Sequence, residues 1–90
     1  MPSQEKLVGG PYTANQTLAL GRCELTRIKL VATGGAPCTV VLFDGAQDMI
    51  TMVADVLLPD EYAGNEKLSF RTDIGILFQA GAGKLYLYFS

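Results

Sequence analysis

CELTRIKLVATGGAPCTVVLFDG, residues 23–45, is the stretch that decides the fold. Two apolar-rich runs flank the turn Gly34-Gly35-Ala36-Pro37, which reverses the chain. In the first run Cys23 and Leu25 share one parity, whereas Ile28 and Leu30 share the other. Successive side chains of a strand point to opposite faces, so a straight strand cannot bury all four. A bulge near Thr26-Arg27 restores the register. The second run, CTVVLF (38–43), is apolar on both faces and reads as a central strand covered from both sides. Asp44-Gly45 then signals a turn.

The same grammar continues outward. DMITMVADVLL (48–58) is a strand with a continuation or a short helix, ended by Pro59; its β-branched residues favour strand. Asp60 to Lys67, with Tyr62, Gly64 and Asn65, is a polar loop. KLSFRT (67–72) alternates with Leu68 and Phe70 inward, and IGILFQ (74–79) puts Ile74, Ile76 and Phe78 on one face. Ala80-Gly81-Ala82-Gly83 is a flexible turn before the closing run KLYLYF (84–89). No sustained amphipathic helix appears. The pattern predicts an all-β domain over 17–90. It is a small antiparallel β-sandwich or jelly-roll-like barrel of about seven or eight strands, with Val40, Leu42, Phe70, Ile76, Leu85 and Leu87 in its core. Residues 1–16 precede it as a polar, extended N-terminal arm. Gly9-Gly10-Pro11 breaks any regular element there, so it reads as an extended arm or a short strand at Lys6–Val8 followed by a loop, and it is expected to be mobile alone and ordered on a neighbour.

Ninety residues make one small domain, which buries only about 60–65% of its unfolded surface. Yet 49% of the residues are hydrophobic and 18% charged, so some apolar surface is expected to be covered by another molecule. The net charge is −2. Between Asp44 and Glu66 lie six carboxylates and no Lys or Arg, a poor surface for phosphate, and nucleic-acid binding is not expected. MPSQEKLVGG carries neither the basic nor the apolar region of a secretory signal, and no run is long enough to span a bilayer. Cys23 and Cys38 fit no zinc spacing; they read as small buried hydrophobes or as one cross-strand disulfide.

The composition also argues against catalysis. With no histidine, Ser–His and Cys–His dyads are excluded. Asp44, Asp48, Asp55, Asp60, Glu61 and Glu66 sit in or beside turns and read as solvated. DGAQD (44–48) departs from calcium-loop spacing, and GAGK (81–84) is followed by a strand where a phosphate loop needs a helix. No catalytic residue, cofactor site or metal site is expected.

The tyrosines carry more information. In KLYLYF, Leu85, Leu87 and Phe89 point one way and Tyr86 and Tyr88 the other, so the tyrosines form an outward stripe if the leucines face the core. Tyrosine offers apolar area with a polar tip, which suits an interface. Tyr86 and Tyr88 are the first candidates for a contact surface; Tyr12 and Tyr62 are weaker ones.

Over residues 27–90 the order of segments resembles a recurring type of small bacteriophage virion protein. RIKLVATGG (27–35) supplies a strand and glycine turn, VVLFDG (40–45) the V-x-L-x-D-G strand, FRTDIGILF (70–78) the following hydrophobic strand, GAGK (81–84) the G-x-G turn and LYLYF (85–89) the aromatic ending. Asp73 is an insertion before the Gly75 position. The resemblance implies a non-enzymatic structural protein, made in the host cytoplasm and carried on the virion as a decoration or cement protein on the capsid surface. Its implied partners are the major capsid protein or other virion subunits, with itself as a homo-oligomer, a trimer before other orders. The alternatives are a tail, neck or fibre component, or a carbohydrate-binding adhesin domain.

Overall fold

The computed structural model describes residues 6–63 and 66–89, and these described residues form nine strands and no helix. They are β1 (Lys6–Tyr12), β2 (Gln16–Leu18), β3 (Cys23–Ala32), β4 (Cys38–Asp44), β5 (Gln47–Ala54), β6 (Asp60–Tyr62), β7 (Leu68–Phe70), β8 (Ile74–Ala80) and β9 (Gly83–Phe89). One sheet has the order β1-β9-β3-β6, with β7 also paired to β3; the other has the order β2-β8-β4-β5. Every pairing is antiparallel.

The connectivity is that of one long hairpin folded upon itself. β4 and β5 form its tip; β3 then pairs with β6 and β7, β2 with β8 and β1 with β9. Successive rungs fall on alternate sheets. This is the jelly-roll arrangement, which closes an antiparallel protein into two packed sheets. The expectation of a sandwich or jelly roll holds, with strands of only three residues raising the count to nine.

The phase change in β3 is resolved by a bulge. Its pairing with β9 slips between Leu25 and Arg27, and Leu25, Ile28 and Leu30 all become fully buried. They face Phe70, Leu85 and Leu87 of the same sheet and Cys38, Val40, Leu42, Met52, Ala54, Ile74 and Ile76 of the other. Each large apolar side chain contributes about 1.5–3 kcal/mol by leaving water. All six expected core residues are in this cluster. Among the described residues no polar or charged side chain is buried.

Two expectations are corrected. The strand expected as one alternative at Lys6–Val8 runs through the glycines and Pro11 to Tyr12 and belongs to the first sheet, paired from Lys6↔Phe89 to Tyr12↔Leu85. Register slips between Leu7 and Gly9 and between Gly9 and Tyr12 absorb Gly9-Gly10-Pro11, because an edge strand tolerates proline and bulges. The first five residues of the arm lie outside the described residues, as do Gly64, Asn65 and Ser90. Next, Asp60–Tyr62 of the expected polar loop pairs with Ile28–Leu30. Of the two readings of 48–58, the strand with a continuation holds: β5 ends at Ala54 and the continuation is not strand. Asp55 and Leu58 then close a turn through reciprocal backbone hydrogen bonds.

The turn at 80–83, expected to be flexible, is in close contact with the β3–β4 connection. Thr33 N–H donates to Ala82 O at 3.0 Å, which ties the β3–β4 crossover to the β8–β9 crossover. Gly81 has φ +72, and a Cβ on it would overlap Pro37 O and approach Cys38 Cα at 3.0 Å. A Cβ on Gly83 would lie 2.6 Å from Val31 O and 2.8 Å from Cys38 Sγ. Glycine is required at both positions, since the two crossovers touch through the missing side chains.

Candidate interaction surface

Alternation along β9 and β3 builds the outer face of the first sheet. Leu85 and Leu87 are fully buried, so Lys84, Tyr86 and Tyr88 project outward. Across the ladder they meet Val31, Lys29 and Arg27 in the pairs Lys84↔Val31, Tyr86↔Lys29 and Tyr88↔Arg27. The Arg27 guanidinium carbon stands 4.3 Å from the centroid of the Tyr88 ring, and Nη1 of Arg27 reaches Glu61 Oε2 at 3.9 Å. That ion pair is partly exposed and stabilises little. Tyr86 and Tyr88 are half-buried and both face outward, as the sequence predicts.

The other two tyrosines are elsewhere. Tyr12 and Tyr62 pack against the core cluster. Burial raises the pKa of Tyr12 above its ordinary value, and the Tyr62 hydroxyl donates to Glu66 O at 2.7 Å. The structure therefore joins Tyr86 and Tyr88 in one surface and places Tyr12 and Tyr62 at supporting positions.

A second exposed feature was not singled out from the sequence. In the turn after β5, Leu57 is 89% exposed and Leu58 69%, with Val56 and Val53 beside them. Asp55 and Asp60 flank this apolar tip, and both are committed locally. Asp55 Oδ1 accepts from Val56 N at 2.7 Å, and the Asp60 carboxylate accepts from Val53 N and Glu61 N, each at 3.0 Å. These bonds hold the turn in shape while its leucines face solvent. The run DVLLP looked like a strand end because its residues are apolar; what frees them is the break in alternation at Ala54.

Asp44 proves to be a structural clasp. Its carboxylate accepts from Arg71 N at 2.9 Å, Thr72 N at 3.0 Å and Thr72 Oγ1 at 2.8 Å. The bond from Arg71 N, then those from Thr72, hold its pKa below the ordinary carboxylate value. Asp73 Oδ1 accepts from Gly45 N in return, at 3.4 Å. The aspartate of VVLFDG thus joins the β4–β5 turn to the segment leading into β8, a role that its reading as a solvated turn residue missed.

Cys23 and Cys38 are free thiols. Burial raises the pKa of both, with the charge of Glu24 a second cause at Cys23. A shallow cavity of about 450 Å³ lies over the edge of the second sheet, lined by residues 15–17, 43, 45 and 75–77, none of which is titratable. Among the described residues no three His, Cys, Asp or Glu side chains are placed to hold a metal ion.

What the fold and these surfaces define is a small jelly-roll domain with an aromatic and cationic sheet face and an acidic, apolar protrusion. Compared with known proteins, the chain matches no family model, no curated protein and no solved structure.

Proposed function

We propose that the protein is a non-enzymatic structural component of a bacteriophage virion, a decoration or cement subunit that docks on the outside of the head and stabilises it. The observation that carries the associating part of this reading is the Val56-Leu57-Leu58 tip. A domain this small has few apolar groups to spare, and exposing three in a row costs solubility unless a partner covers them. The virion part is supported by the resemblance of residues 27–90 set out above. The jelly roll is used by viral capsid proteins and also by lectins, so fold alone does not choose between them. Against a sugar platform stands the Arg27 guanidinium, which already occupies one face of the Tyr88 ring.

The test is quantitative peptide mass spectrometry on purified particles of the phage that carries the gene. The reading expects the protein in many copies, in a fixed ratio to the major capsid protein. Its absence from particles would overturn the reading, and a few copies per particle would move it to the tail, neck or fibre.

A further inference from the structure

The two surfaces described above are complementary to each other, and they lie on different parts of the same chain. The protrusion offers Leu57 and Leu58 between Asp55 and Asp60, within a stretch of six carboxylates that contains no Lys or Arg. The outer face of the first sheet offers Tyr86 and Tyr88 beside Lys29, Lys84 and Arg27. Among the described residues the ion pair on that face is Arg27–Glu61; Glu61 also stands opposite Lys29 in the β3–β6 ladder, whereas Lys84 stands opposite Val31, so three cations share the face with one described carboxylate. Tyrosine rings and the aliphatic stems of lysines supply apolar area on which leucines can pack. The ammonium groups at the rim would then meet the aspartates that flank the leucines.

We infer that the apolar acidic turn 55–60 of one copy docks on the Tyr86–Tyr88, Lys29–Lys84 face of a second copy of this chain. The occupant is chosen by charge. A second copy brings an acidic apolar tip to a cationic aromatic face, whereas a tip-to-tip contact would bring carboxylates against carboxylates. The two halves of the contact are different surfaces, so it is made either twice about a two-fold axis, each tip on the other copy's face, or head to tail. The head-to-tail form closes into a ring when the rotation between neighbours permits and otherwise propagates. This inference rests on the reading of the protein as an associating subunit and specifies how copies meet.

Complementation between two variants tests it, read by sedimentation velocity, with circular dichroism and thermal melting to show that each variant is folded. One variant carries Leu57→Ser and Leu58→Ser; the other carries Lys29→Glu and Lys84→Glu. The wild type is expected to self-associate, and more weakly by about tenfold or more as salt rises from about 0.05 to 0.5 M. Each variant alone is expected to be a monomer. Mixed in equal amounts they should form a 1:1 pair and nothing larger, since the first keeps an intact face and the second an intact tip. A Lys29→Glu, Lys84→Glu variant that associates by itself as the wild type does would overturn the inference in favour of tip-to-tip contact, and a mixture that stays monomeric while the wild type associates would overturn it as well. A wild type that remains monomeric at about 1 mM would overturn it outright. Self-association by this pattern in a protein absent from particles would sink the virion reading alone; a virion protein that is monomeric in solution would sink this inference alone.

Discussion

The guanidinium of Arg27 stacks on the ring of Tyr88 at 4.3 Å from its centroid, across the β3–β9 ladder. The contact exists because the bulge at Thr26 changes the parity of β3, turning Ile28 and Leu30 inward and Arg27 outward over the last strand. One irregularity therefore sets both the core and the character of the outer face.

A double-mutant cycle of Arg27→Gln and Tyr88→Leu, measured by urea unfolding, should give a coupling of about 0.5–1 kcal/mol, the range of a partly exposed cation–π pair. Zero coupling would mean that the stacking contributes nothing to stability.

Gly81→Ala and Gly83→Ala should each destabilise by about 2–4 kcal/mol, through overpacking against Pro37, Cys38 and Val31 and, at Gly81, through a positive φ as well. Gly35→Ala is the control. Its φ is +77 but nothing lies within 4 Å of the added Cβ, so it should cost only the strain, about 1–2 kcal/mol. Equal losses at all three positions would contradict the close approach of the crossovers.

Asp44 predicts a specific acid sensitivity. Its folded pKa lies below the ordinary 3.8, so its contribution is fully present above that value and is lost as pH falls through the folded pKa. The melting temperature of the wild type should exceed that of Asp44→Asn at pH 7, and the gap should close below about pH 4. A gap unchanged down to about pH 2 would show that the hydrogen bonds do not depend on the charge.

With both cysteines free, a reductant should leave the melting temperature unchanged, whereas loss of a native disulfide typically costs 2–5 kcal/mol. Buried Cys38 should react with a thiol reagent slowly in the folded protein and quickly in denaturant.

Much of the architecture was legible because alternation is a local signal. The bulge in CELTRIKL, the central position of CTVVLF and the outward tyrosines of KLYLYF all follow from parity. What parity cannot show is pairing between distant segments. β1 lies along β9 across nearly the whole chain, and the three polar residues of β6 become a strand only because β3 offers them an edge. Lys6–Tyr12 of the arm is thereby an integral strand. A chain starting at residue 13 should be less stable than the full protein, because β9 loses its neighbour and the core loses Tyr12; an unchanged urea midpoint would contradict the pairing. The exposed tip at 56–58 was hidden for a related reason. Its residues are those of a strand, and only the turn closed by Asp55 and Leu58 shows that they leave the sheet.

The central claim, that this jelly roll serves on the outside of a phage head, is tested most directly by cryo-electron microscopy of particles with and without the gene. The difference density should appear at many symmetry-related positions on the outer surface of the head and should fit a domain of about 35 × 33 × 20 Å. Difference density confined to the tail, or none at all, would contradict it.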